Sequence, residues 1–338
     1  MTGVQTCALP ISIRQQLLNR SRESHADFNL ILTRYGLERF LYRIGASAYR
    51  NRFILKGAML FPLWGVINFR GTRDIDLLGF GESDIKALED VFRELCHVAV
   101  EDDGIIFDRD SVKAEDIRDQ LEYGGTRMCF TADLAGAKIS MQVDVGFGDA
   151  VTPDACEADF PTILDQPSPR LRVYPPETVV AEKFHAMVKF GIANSRMKDF
   201  YDLWVISRMF DFDGNTLATA LDRTFERRGT PLPSLAPLAL TDEFSKDAQK
   251  IRQWGAFLNR SGLRVDTTLA GVTEFIAGFI IPAIEYRNRS EKNEMSWLAG
   301  GPWQGQVFQS RGGASLISID ATDAIDAIDA VDAVDAVE

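Results

Sequence analysis

Apolar residues recur at helical spacing near the start of the chain. Phe28, Ile31, Leu32 and Tyr35 share one face, and Phe40, Leu41 and Ile44 form a second, which predicts helices over 12–34 and 37–49. Phe53-Ile54-Leu55 reads as a short buried strand, and Lys56-Gly57 turns the chain into a helix over 58–64. A second strand is expected over 73–80. A helix follows over 84–96, with Ile85, Leu88, Val91, Phe92 and Leu95 inward. Strands are expected at 105–107, 112–117, 126–134 and 138–147, with turns at Gly124-Gly125 and Gly136. After a Pro-rich loop over 161–176 the pattern becomes helical, over 178–190, 197–210, 215–227, 242–258 and 267–286. The fold class this predicts is α+β: a mixed sheet with flanking helices, followed by a helical bundle. The boundary falls near 165–176, giving a core over 12–165 and a helical part over 166–299.

Both ends break the pattern. Residues 3–11 resemble translated adapter sequence, so 1–11 is set aside from the fold. From Ile319 the chain repeats Ile/Val-Asp-Ala with a period of three, which fits neither helix nor strand. The 300–338 segment is therefore expected to be a Gly- and Gln-rich linker and a disordered Asp-rich repeat.

The repeat changes how charge is read. The 338 residues carry a formal −12, but six Asp and one Glu lie in the last twenty, leaving −5 for the rest. At 46% apolar and 25% charged, the composition is that of a globular protein with ample core. No run of 18 apolar residues appears, so no membrane span is expected. Four cysteines without a CxxC pair point to buried, reduced thiols and a cytoplasmic setting.

The candidate chemistry lies in Arg73-Asp74-Ile75-Asp76-Leu77. In a strand, Asp74 and Asp76 share one face while Ile75 and Leu77 face the core. Paired carboxylates repel unless a cation sits between them, and their hard oxygens suit Mg²⁺ or Mn²⁺. An exposed polar strand face is the alternative. Asp144, in Met141-Gln142-Val143-Asp144-Val145, lies opposite its core-facing valines; if the strands are adjacent, three carboxylates converge. Gly57 marks a strand-to-helix junction whose N–H groups suit phosphate. Tyr174-Pro175-Pro176 is a helix entry, and beyond it Val179, Lys183, Ala186 and Phe190 share a face. Such a lysine either snorkels or meets an anion. His185 stands about 200° round the helix from Lys183, so it is read as packing. Asp199 and Asp202, at i and i+3, suit a helix's first turn.

Four blocks carry a resemblance: Lys56-Gly57-Ala58-Met59-Leu60-Phe61; Arg70-Gly71-Thr72-Arg73-Asp74-Ile75-Asp76-Leu77; Val180-Ala181-Glu182-Lys183-Phe184-His185-Ala186; and Ser195-Arg196-Met197-Lys198-Asp199-Phe200-Tyr201-Asp202-Leu203. In this order they resemble the AbiEii/AbiGii toxin family, within the DNA polymerase β-like nucleotidyltransferase superfamily. The resemblance covers roughly 50–290. The first block departs from it, with Lys-Gly-Ala in place of the commoner double glycine.

The resemblance implies a metal-dependent nucleotidyltransferase toxin of a prokaryotic toxin–antitoxin or abortive phage-defence system, restrained by a cognate antitoxin. It implies a metal on Asp74, Asp76 and Asp144, with Lys183 and Asp199 completing the catalytic set. Lys56, Gly57, Ala58, Arg73, Lys183, Arg196, Lys198 and Asp202 form the expected nucleotide-binding set. An NTP is the expected donor, with GTP or CTP favoured by the resemblance. An RNA end, a tRNA above all, is the expected acceptor, with Arg223, Arg227, Arg228, Arg287, Arg289, Arg43, Arg50 and Arg52 as basic clusters for its backbone. The rival reading is a degenerate nucleotide- or partner-binding module of the same fold, or transfer to protein or to a small molecule.

Overall fold

Two N-terminal helices, α1 (Ala8–Glu23) and α2 (Phe28–Ala46), precede the first strand in the computed structural model, which describes residues 8–66, 71–117, 125–287 and 294–305. Their break lies at 24–27, not at 35–36 as the spacing suggested. His25 takes φ 50° and Asp27 caps α2, its side chain accepting from the Leu30 N–H. Gly36 stays within α2 because a Cβ there would stand 3.0 Å from the Met141 sulfur: the glycine permits close packing on the sheet.

Then come β1 (Phe53–Lys56), α3 (Leu60–Leu63), β2 (Ile75–Gly79), α4 (Ile85–Leu95), β3 (Ile105–Ile117), β4 (Gly125–Leu134), β5 (Ala137–Phe147), β6 (Cys156–Asp159) and β7 (Arg170–Val173). The strands form one mixed seven-stranded sheet, ordered β3-β4-β5-β2-β1-β7-β6. β2 runs antiparallel to β1 and parallel to β5, while β7 runs parallel to β1. One face packs on α2 and α4. Ile75, Leu77, Met141, Val143 and Val145 are buried there, beside the ring cluster Phe40, Phe92, Phe107 and Phe130. The α+β architecture is as expected, but β7 falls in the expected Pro-rich loop. Its four residues are too few for a periodic signal, and Leu171 and Val173 are buried only because β1 offers an edge. Ile85, expected inward, is 40% exposed at the start of α4.

The helical half comprises α5 (Pro176–Phe190), α6 (Met197–Met209), α7 (Gly214–Arg227), α8 (Asp242–Ser245), α9 (Ala248–Ser261) and α10 (Leu269–Arg287). The expected single helix over 242–258 is two, because Asp247 takes an extended conformation and caps α9. α10 is long and apolar enough to cross a membrane, yet half of it is buried within the protein. A small sheet of β8 (Phe212–Asp213), β9 (Ser296–Trp297) and β10 (Trp303–Gln304) closes this end. Residues 303–304, expected within a linker, belong to this sheet: the Trp303 indole stacks on Phe279 and donates to its carbonyl at 2.8 Å. Of the described cysteines, Cys96 is buried and Cys156 exposed, against the expectation of uniformly buried thiols. Cys7, Arg70, Gly124, Arg289 and the Asp-rich repeat lie outside the described residues.

Candidate active site

The open face of the sheet carries a row of charges fixed by strand register. Lys56 pairs with Asp76 across β1 and β2, Asp76 with Asp144 across β2 and β5, and Asp144 with Arg127 across β5 and β4. Directly paired residues project to the same side, so two carboxylates stand side by side with a cation at each end. Asp74 precedes β2 rather than lying in it, and its carboxylate accepts from the Thr72 hydroxyl. Asp74, Asp76 and Asp144 line one cavity of about 350 Å³, together with Lys56, Ala58, Arg73, Arg127, Arg196 and Lys198.

Gly57 is required beside this row. Its φ is +72°, and a Cβ there would stand 2.0 Å from an Asp76 carboxylate oxygen. The β1-to-α3 turn therefore presses backbone against the acid. Burial first, and then the charge of Asp74, with Asp144 adding to it, push the Asp76 carboxyl up to about 6, against the pull of Lys56 and Lys198.

Such a pair fits a hard divalent cation, which would relieve the repulsion. Asp144 is otherwise committed. Arg127 donates from Nε to one of its oxygens and from Nη2 to the other, each at 2.8 Å. Among the described residues, no group of three His, Cys, Asp or Glu side chains stands ready to hold a metal ion. The expected three-carboxylate arrangement is thus two carboxylates plus a third engaged by arginine. The pattern of β5 showed that Asp144 faces outward; it held no sign of what stands opposite on β4.

A second cavity, of about 200 Å³, adjoins the first and shares Lys56, Ala58, Asp76, Arg196 and Lys198 with it. The expected stripe Val179, Lys183, Ala186 and Phe190 lines it from α5, which Pro176 starts and Gly191 ends. Lys183 donates to Asp199 at 3.0 Å and to Asp202 at 2.6 Å, both on α6, and Arg196 reaches Asp199 at 2.7 Å. Burial raises the Asp199 carboxyl, but Lys183 and Arg196 outweigh it and hold the group below its ordinary range. Asp202 lies beneath, fully buried, and lines neither cavity.

Lys56, expected at phosphate, points into an ion cluster. It meets Asp149 at 2.7 Å and Glu182 at 3.3 Å, and Arg228 meets the same two at 3.1 and 3.4 Å. Tyr174 donates to Glu182 at 3.2 Å. Burial raises the Glu182 carboxyl, whereas Lys56 and Arg228 overcome burial at Asp149 and lower it. His185 is buried edge-on to Phe225 and bonded to Thr230, the packing role expected of it, although it also borders the cavity. The pattern of single residues left out Arg127, Asp149 and Glu182 as site residues, and it placed Arg228 among the acceptor-binding arginines rather than in the ion cluster. Only the place of Glu182 beside Lys183 hinted at any of them.

The expected basic clusters are not open arrays. Arg43 is buried in a fork on Asp103 at 2.7 and 3.1 Å, Arg50 pairs with Glu157, and Arg287 meets Asp222 at 2.6 Å. Arg52 and Arg227 donate to the carbonyls of Glu82 and Gly148, Arg223 to Thr152, and Arg228 belongs to the ion cluster. A different basic surface is present. A groove of about 780 Å³ shares Arg73, Arg196 and Lys198 with the carboxylate cavity and is also lined by Arg260, Leu30 and Phe257, without a carboxylate among its described lining.

Residues 39–271 match the family described as "Nucleotidyl transferase AbiEii toxin, Type IV TA system". Two solved structures, both from Helicobacter pylori, resemble the chain at 14% identity. One is of a candidate nucleotidyltransferase, with a TM-score of 0.43, covering 73% of this chain and 92% of that one. The other is of the protein JHP933, with a TM-score of 0.45, covering 74% and 91%. No curated protein matches the chain.

Proposed function

Given that the chain belongs to the AbiEii nucleotidyltransferase toxin family of type IV toxin–antitoxin systems, we propose that it transfers a nucleotide from an NTP to an RNA end, with a divalent cation at Asp74 and Asp76. The observation that carries the reading is the acidic row on β2 and β5, pressed against the Gly57 turn and ringed by Arg73, Arg196 and Lys198. The acceptor hydroxyl attacks the α-phosphorus, its proton passes to a base, and pyrophosphate leaves. Mg²⁺ or Mn²⁺ would supply charge stabilisation at the attacking and leaving oxygens. The residues of the chain do the rest. Ala58, Arg196 and Lys198 border both cavities and Gly57 the second, and together they suit the triphosphate. Lys183, fixed by Asp199 and Asp202, shapes the wall beside it.

The groove through Arg73, Arg196, Lys198 and Arg260 supports RNA as acceptor, since four cations and no carboxylate are among its described lining, and three of those cations also border the acids. A cognate antitoxin follows from the type of system, and GTP and CTP remain the favoured donors. The test incubates the protein with each labelled NTP, Mg²⁺ and total cellular RNA. Label in RNA that falls steeply with added salt is expected. Label only in protein or in a small-molecule fraction would reject the RNA acceptor, and no pyrophosphate from any of the four NTPs would favour the degenerate module.

A further inference from the structure

Asp144 and Arg127 face one another because the β4–β5 register makes them direct cross-strand partners, so the contact does not depend on a flexible loop. The fork occupies both carboxylate oxygens at 2.8 Å. Gln142, two residues along the same face of β5, places its side-chain amide beside the pair, with its nitrogen 3.4 Å from an Asp144 oxygen. One edge of the guanidinium, Nε and Nη2, is thus committed to Asp144. A cation that coordinated Asp144 would stand against a full positive charge at short range. Among the described residues, Asp74 and Asp76 carry no such fork: Thr72 engages one oxygen of Asp74, and the cross-strand cation of Asp76, Lys56, is drawn off by Asp149 and Glu182.

We propose that Arg127 is a positioning residue that keeps Asp144 out of metal coordination, so that the site takes up one divalent cation, on Asp74 and Asp76, with the guanidinium standing where a second would sit. The proposal rests on the nucleotidyltransferase reading and departs from the three-ligand site expected from the sequence. It gives the row Lys56, Asp76, Asp144, Arg127 a division of labour. The inner end binds metal, and the outer end is neutralised within the protein.

Mn²⁺ uptake by the full chain, in the presence of a non-hydrolysable NTP analogue, tests this by the paramagnetic resonance signal of free Mn²⁺. The wild type should bind one equivalent. Arg127→Gln, shown to be folded by circular dichroism, should bind a second equivalent at least tenfold more tightly than the wild type does, and Arg127→Lys, which keeps the charge, should return to one. Two equivalents in the wild type, or identical uptake by wild type and Arg127→Gln, would overturn the proposal. If Arg127→Gln does not fold, Asp144→Asn decides. Its Mn²⁺ affinity should stay within twofold of the wild type, and a tenfold loss would make Asp144 a ligand. Uptake unaffected by Asp76→Asn would remove the nucleotidyltransferase reading itself, whereas two equivalents that depend on Asp76 would remove only the role of Arg127.

Discussion

At Gly57 the backbone leaves β1 in a left-handed conformation while touching the carboxylate of Asp76. Two separate penalties meet there. A side chain at φ +72° costs about 1 kcal/mol in backbone strain, and its Cβ would also displace Asp76. Gly57→Ala is expected to lower stability by about 2 kcal/mol and to remove most nucleotide transfer, as thermal melts and pyrophosphate release would show. Asp74→Asn and Asp76→Asn differ in kind. Each withdraws a proposed metal ligand yet relieves repulsion within a crowded acidic row. Turnover should fall at least a hundredfold while the melting temperature holds or rises. Near-full turnover in Mg²⁺ by either variant would rule out the pair as the metal site.

Between elements, Lys183 joins α5 to α6 through two aspartates, each at most 2% exposed. The sequence pattern suggested that its loss would chiefly weaken nucleotide binding. The structure adds a mechanical role, because Lys183→Ala leaves two buried carboxylates without their shared cation. Removing one partner from a buried ion pair costs about 3–5 kcal/mol, so the variant should unfold at markedly lower temperature or denaturant. A melt that matches the wild type would show that Arg196 alone suffices for Asp199. The four half-buried charges Lys56, Asp149, Glu182 and Arg228 tie the end of β1, the segment after β5, α5 and the end of α7 together.

Over the whole molecule, one buried acid links global stability to pH. Glu38 of α2 is fully buried beside Arg39 and accepts from the Ile163 N–H at 2.7 Å, joining α2 to the segment before β7. Burial pushes its carboxyl from 4.5 up to about 7, against the pull of Arg39 and of that N–H. A raised folded-state value means that the folded protein holds the proton more tightly than the unfolded chain. The contribution is complete below pH 4.5 and is lost as pH rises through 7. At about 1.4 kcal/mol per unit, up to about 3 kcal/mol is at stake. Denaturant midpoints should therefore fall between pH 5 and pH 8 in the wild type, and Glu38→Gln should flatten that fall. Parallel curves for the two proteins would show that Glu38 does not titrate in this range.

Much of this protein was legible along the chain, because a strand or helix face is a local property. Alternation in 138–147 placed Asp144 opposite buried Val143 and Val145, and the 3–4 spacing in α5 placed Lys183 on the face that lines a cavity. Pro176 and Gly191 bounded that helix as their backbone preferences dictate. What faces what was decided elsewhere. Strand order set Arg127 against Asp144, packing drew Lys56 toward Asp149 and Glu182, and the edge of β1 gave the four residues of β7 a partner. Arg127 and Asp144 meet across a hairpin, but the pairings of Lys56 and of β7 join residues far apart in sequence, and the free energy of bringing those together belongs to the assembled sheet and core. No local periodicity carries that information, so the chain by itself determined which side chains turn outward, and only the tertiary structure decided which charges meet.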